Sequence, residues 1–268
     1  MGDREGQSGG QSQLASRSVF DLQQIADQAR VAYDYDQAIA HYSQALRLLR
    51  AGPVDVDVAT EYDLLAKRAE CYDQLGDLSA VEVDLETMAN LAKVMNDLPR
   101  QIEVINRQAD LLNRLGQATD GQRAAESAVA LARQMGDHNL EADSLTALGR
   151  AWEQLSDFAQ AQRCYEQALS LYRQLENRVG EAHNLWDLGV IATVTNKKGQ
   201  AEDYLKSALD IYRSLGDRAG EANVLNMLGQ TTRDYAQQRA YYEQALIIFQ
   251  ALGQRERQAV LINNLGLV

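Results

Sequence analysis

The chain has 268 residues, of which 46% are apolar and only 6% aromatic, with two prolines and a net charge of −12. That charge repels nucleic-acid phosphates and anionic membrane surfaces, so neither is an expected partner. No apolar run reaches the length of about 18 residues that would cross a bilayer, no apolar stretch near the N-terminus reads as a secretory signal, and Cys71 and Cys164 stand far apart, as reduced thiols of a cytoplasmic protein would.

Residues 1–18 are rich in Gly, Ser and Gln and poor in apolar side chains, which predicts a disordered tail that buries too little surface to offset its ordering entropy. From residue 19 the pattern is helix, short turn, helix. It predicts units over 19–50, 58–97, 98–136, 138–176, 178–216 and 218–252, and a lone helix over 255–268. A small residue recurs in each first helix at Ala26, Ala69, Ala109, Gly149, Gly189, Gly229 and Gly266, spaced 43, 40, 40, 40, 40 and 37 apart. A second small position falls 19 residues later at Ala45, Ala128, Ala168 and Ala208. Only Gly or Ala lets two crossing helices approach this closely. Large residues such as Leu145, Leu148, Trp152, Tyr165 and Leu169 surround these positions at the spacing of one buried helical face, which places Trp152 in the core.

In the second unit Met88 stands where the small second-helix residue belongs and Val81 replaces an earlier alanine. Pro53 and the acidic residues Asp55, Asp57 and Glu61 lead into that unit. The related phrases at 135–142, 175–182 and 215–222 lie 40 residues apart, the sign of a repeat array. Gly76-Asp77, Ser156-Asp157 and Asn196-Lys197 suit tight turns. Glu141, Glu181 and Glu221 open first helices and Arg133, Arg173 and Arg213 close second helices, matching the helix dipole. In the sixth unit Gly229 and Ala245 are only 16 apart, which predicts one trimmed helix. The seventh ends Leu-Ile-Asn-Asn-Leu-Gly-Leu-Val, too apolar for the end of a solenoid. It predicts either a longer natural chain or an end that pairs with another molecule.

The stretches Tyr35-Asp-Gln-Ala-Ile-Ala-His-Tyr-Ser-Gln-Ala-Leu46 and Phe158-Ala-Gln-Ala-Gln-Arg-Cys-Tyr-Glu-Gln-Ala-Leu169 resemble the second helix of the tetratricopeptide repeat. The period of 40 points to the longer-helix branch, similar to the repeats of LGN/Pins, kinesin light chain and MalT-like regulators. The resemblance implies an all-α, right-handed superhelical solenoid of antiparallel helix pairs, about six repeats plus one helix. It also implies that first helices line a concave binding groove.

Carried over by position, that groove takes Asp63, Glu70, Asp73, Glu103, Asn106, Asp110, Asn113, Asp143, Arg150 and Glu153, a mostly acidic face. It continues through His183, Trp186, Val190, Asn223, Asn226 and Gln230, nearly uncharged. The acidic half would attract a basic or amphipathic segment, and Trp186 would anchor it while the amides bond its backbone. The family's carboxylate clamp is not matched, because carboxylates surround Lys67 and Arg107.

No catalytic or metal pattern competes with this reading. His41, His138 and His183 share no ligand spacing, and neither a phosphate loop nor a Gly-x-Ser-x-Gly elbow occurs. The expectation is a cytoplasmic, non-enzymatic protein- or peptide-binding scaffold or regulatory module without cofactor. The alternatives are a ligand- or peptide-sensing fragment of a larger signalling or transcriptional regulator, and a structural piece that self-associates through its C-terminal helix.

Overall fold

The computed structural model describes the backbone of residues 4–51 and 57–266, with side chains from Ser18 onward except Glu256. Among the described residues there are thirteen α-helices and no strand: α1 (Arg4–Val31), α2 (Tyr35–Ala51), α3 (Val58–Leu75), α4 (Leu78–Val94), α5 (Leu98–Arg114), α6 (Ala118–Met135), α7 (His138–Gln154), α8 (Phe158–Gln174), α9 (Arg178–Val194), α10 (Lys198–Leu215), α11 (Arg218–Thr231), α12 (Tyr235–Ala251) and α13 (Arg255–Gly266). They fall into two compact units, Met1–Leu111 and Leu112–Val268, divided inside α5.

Local chemistry fixes the helix ends. Asp77, Asp137, Asp157, Asn177, Asp217 and Asp234 cap α4, α7, α8, α9, α11 and α12, each side chain accepting from a backbone N–H of the first turn. At the turns the chain passes through left-handed backbone, at Gly76 (φ 75°), Ser156 (φ 62°) and Asn196 (φ 59°), the three turn positions anticipated from the sequence.

The recurring small residue does what helix crossing demands. A Cβ on Gly149 would lie 2.5 Å from Cε1 of Tyr165, and one on Gly189 would lie 2.7 Å from Leu205, each on the second helix of its own pair. Gly229 meets the Tyr242 ring in the same way. Two further glycines serve the next interface along: Gly180 lies beneath the Tyr172 ring and Gly220 beneath that of Tyr212, each tyrosine belonging to the preceding pair. Where the preceding helix offers Ala132 at that position instead, the following helix carries Leu140. Size is thus exchanged across the contact.

A charged clasp sits beside each of these contacts. Arg133 Nε donates to Glu141 at 2.7 Å, and Arg173 to Glu181 and Arg213 to Glu221 at 2.9 Å each. Arg178 and Arg218 close on the same two glutamates. These residues therefore bind one another across the turn in addition to facing the helix dipoles.

Three features depart from the regular repeat. α1 begins at Arg4, within the segment that composition marks as a disordered tail. The segment anchored by buried Val19 and Ala26 supplies the nucleus, and each further turn toward the N-terminus needs no new one. In the pair α3/α4, Met88 is fully buried at the position where the other repeats carry alanine. Arg68 and Asp84 form a buried bidentate pair there, with Nε–Oδ2 2.9 Å and Nη2–Oδ1 2.5 Å, and Arg68 Nη1 also donates to Ser43 at 2.9 Å. In the sixth pair α11 has 14 residues against 17 in α7 and α9, ending at Thr232 in extended backbone (ψ 151°), so the first helix is the trimmed one.

Candidate binding faces of the first helices

In the first unit, the outward residues of α1, α3 and α5 form a row of ion pairs. Lys67 Nζ lies 2.8 Å from Asp27, whose carboxylate also accepts from Tyr42 at 2.5 Å. Glu70 receives Arg107 at 3.1 Å and Arg30 at 3.4 Å. Glu103 receives Arg107 at 2.9 Å and the Tyr62 hydroxyl at 3.2 Å, and Asp63 receives Arg100 at 3.0 Å. The sequence reading of this half as a mostly acidic face is therefore incomplete. Asp63, Glu70 and Glu103 each hold a guanidinium from a neighbouring first helix or from the next turn of their own. Asp73, Asn106 and Asp110 stand half-buried on the same helices.

In the second unit the row is built differently. Asn113, near the end of α5, is buried. Asp143 accepts from the Tyr172 hydroxyl at 2.5 Å, and Glu153 from Tyr165 at 3.1 Å. Burial pushes the Glu153 carboxyl above its ordinary value, with Tyr165 and Arg150 opposing the shift. Asn184 is fully buried and donates to Thr146 at 2.9 Å, joining α9 to α7. Arg150 bears electrostatically on Tyr165, Tyr172, Glu153 and His183. His183 as a whole is exposed on α9; partial desolvation of its ring, and then Arg150, depress the imidazole below its usual pKa, with Asp217 opposing. The ring of His183 lies 5.7 Å from that of Tyr212.

Trp186 is half-buried against the core of this unit, and its Nε1–H is out of solvent with no acceptor. Val190, Asn223 and Asn226 are also half-buried, and Gln230 is exposed. Gln230 and Asn264 both approach the Asn226 carbonyl, at 3.5 and 3.3 Å, and Arg257 closes on Asn223. Trp152, expected in the core, is likewise half-buried against it.

The sequence reading missed Asp27, Arg30, Arg100, Thr146, Arg257 and the tyrosines that clasp the carboxylates. The signal was present as polar or opposite-charge residues about one repeat apart: Lys67–Asp27 and Arg30–Glu70 are 40 apart, Arg107–Glu70 and Arg100–Asp63 37, and Asn184–Thr146 and Asn264–Asn226 38. Among the described residues no group of His, Cys, Asp and Glu could hold a metal ion, and no helix is long and apolar enough to cross a membrane.

Residues 101–174 and 153–214 match the tetratricopeptide repeat. This is a TPR-type helical-repeat protein. No curated protein matches the sequence significantly. Among solved structures, a Rap protein complexed with competence and sporulation factor is similar at TM-score 0.73 and 14% identity, covering 92% of this chain and 73% of that one. The Rap conjugation gene regulator of plasmid pLS20, in complex with a Phr peptide, is similar at TM-score 0.74 and 13% identity, over 92% and 72% of the two chains. A signal transduction ATPase with a tetratricopeptide repeat sensor from Pyrococcus horikoshii gives TM-score 0.61 at 13% identity, with 92% of this TPR chain matched to 42% of that protein.

Proposed function

We propose that this TPR chain is a protein- or peptide-binding module, and that the first-helix row of the Leu112–Val268 unit holds the ligand. The observation that carries the reading is the contrast between the two rows. In the first unit, Asp63, Glu70 and Glu103 are matched by cations of the same row. In the second, a half-buried Trp186 has no acceptor for its N–H, and next to it run side-chain amides at Asn223, Asn226 and Gln230. The part of the Trp186 indole that remains accessible offers an apolar ring face for a ligand side chain. The Asn226 and Gln230 amides pair only with other amides at 3.3–3.5 Å and exchange readily for a peptide backbone, while Asn223 holds Arg257. The peptide complexes of the similar Rap structures support the same use of the fold.

The ligand is an extended or amphipathic segment with an apolar residue for Trp186. Ion pairing in the first row weakens the attraction for a strongly basic one. Capture from source lysate by the parent chain, beside Trp186→Ala and Asn226→Ala, tests the reading. The partner is expected on the parent and absent from both variants; equal capture by all three contradicts it.

A second reading is favoured by the similarity to the sensor-bearing ATPase, of which the chain spans 42%. On that reading the same row senses a ligand on behalf of a larger regulator in the cytoplasm. A ligand-dependent change in compactness by small-angle scattering would separate this use from passive scaffolding.

A further inference from the structure

Three turns of the Leu112–Val268 unit, each leading from a second helix into the next first helix, present one repeated surface. Met135, Leu175 and Leu215 stand 40 residues apart at the ends of α6, α8 and α10, and are 38%, 41% and 43% exposed. Two residues before each stands an arginine, Arg133, Arg173 or Arg213. Adjacent turns touch: Asn177 of the second donates to Asn139 of the first at 3.2 Å. The charge of this edge is layered. Glu181 and Glu221 each hold two arginines, yet their side chains are only 9% and 7% exposed, whereas those of Arg173, Arg178, Arg213 and Arg218 remain 45–56% exposed. Arg133 lies over Glu141 in the same way. The capping carboxylates Asp137 and Asp217 accept from backbone N–H groups. Among the described residues of these turns, Glu176 is the one carboxylate that is exposed as the arginines are. Arg178 and Arg218 are moreover the first residues of α9 and α11, where a cation opposes the helix dipole. The glutamate that each meets is already held by Arg173 or Arg213, so their charge is surplus to the clasp.

We propose that this edge is a docking site for an extended acidic segment of a partner protein, one in which carboxylates are interleaved with apolar side chains. Charge complementarity specifies the occupant: on a chain of net charge −12, this edge shows solvent guanidinium groups above buried glutamates. The clasp takes the Nε of Arg173 and of Arg213, which leaves the Nη donors of each half-exposed fork to a ligand carboxylate. The leucines and the methionine between the arginines receive the apolar side chains. Helices in contact lie about 8–10 Å apart, a span of about three residues of extended chain. The segment therefore sets one apolar residue and one carboxylate in each run of about three. A nucleic acid is a poorer occupant, because it brings phosphates without apolar side chains and the net charge of the chain repels it. Arg178 stands about two helical turns before Trp186 on α9, and the edge does not depend on the row that contains Trp186.

The probe is a fluorescein-labelled peptide of repeated Leu-Glu-Asp units, about twelve residues long, titrated into the whole chain by anisotropy. A Leu-Lys-Lys peptide and a single-stranded oligonucleotide of equal length are titrated beside it. Saturable binding of the acidic peptide alone is expected. It should be weakened about tenfold or more by Arg178→Gln with Arg218→Gln, and likewise by Leu175→Gln with Leu215→Gln, and left unchanged by Trp186→Ala. The arginine pair leaves the Arg173–Glu181 and Arg213–Glu221 contacts in place, so melting of that variant should match the parent. No binding, binding indifferent to the arginine pair, or equal binding of the lysine peptide or the oligonucleotide overturns the proposal. So does self-association of the parent chain in sedimentation velocity that the arginine pair abolishes, since the occupant would then be a second copy.

Discussion

At the scale of single residues, three kinds of contact carry the fold. The glycine–ring contacts tolerate no added carbon. Gly149→Ala forces Tyr165 aside and is expected to cost about 1–3 kcal/mol in urea unfolding, whereas Gly266→Ala, with open space around it, is expected to be neutral. If Gly149→Ala is also neutral, the close approach is not what that position is for. The buried pair of Arg68 and Asp84 occupies positions that hold Leu148 and Cys164, or Leu188 and Tyr204, in later pairs. Asp84→Ala leaves a buried guanidinium without its carboxylate and should cost about 3 kcal/mol. The double change Arg68→Leu with Asp84→Cys, which restores the later pattern, should recover most of that loss. A double variant as unstable as the single one would show that the pair contributes more than mutual neutralisation. Burial pushes the Cys71 and Cys164 thiols up to about 11 from 9.0. Folding therefore favours the protonated thiols. Their contribution is fully present below the unfolded value of 9.0 and is lost as pH rises towards about 11. Labelling by a thiol reagent at pH 8 should be slow in the native chain and fast in denaturant; fast native labelling would contradict the burial.

At the scale of elements, the array was legible in the sequence where one contact repeats at one position. The small residue of each first helix, the left-handed turn positions and the shortened α11 all follow from a spacing that packing must obey. The clasp across the turn was half legible. Arg173 and Glu181 suit their helix ends, but their pairing needs the turn geometry that brings residues eight apart together. Glu181 is buried while its arginines are half-exposed, so Glu181→Ala should cost only about 1 kcal/mol, read from the melting midpoint. A loss as large as that of Asp84→Ala would mean that the clasp rather than the glycine contact sets the join. What the sequence concealed were contacts whose partners occupy different roles, such as Tyr172 of a second helix donating to Asp143 of a first. The ion-pair row of α1, α3 and α5 was concealed because a list of outward residues on each helix counts carboxylates without their neighbours one repeat away. α1 ran further than expected because composition reports what a segment can bury, not whether an adjoining helix will extend through it.

At the scale of the whole molecule, a chain of net charge −12 carries one first-helix row that is internally matched and another that offers a half-buried indole and amides. We propose binding at the second. His183 belongs to that row, and its depressed pKa gives a sign for acid conditions. The neutral imidazole favoured in the folded chain contributes stability that is present above 6.5 and lost as pH falls below it. His183→Asn should flatten that part of the pH–stability profile. The most direct measurement places a photo-crosslinking phenylalanine analogue at Val190, in the proposed binding row, and in a second sample at Ile247, which is 64% exposed on α12. A discrete crosslinked partner from source lysate is expected at 190 and absent at 247. Equal crosslinking at both positions, or a partner found only at 247, would contradict the proposed binding row.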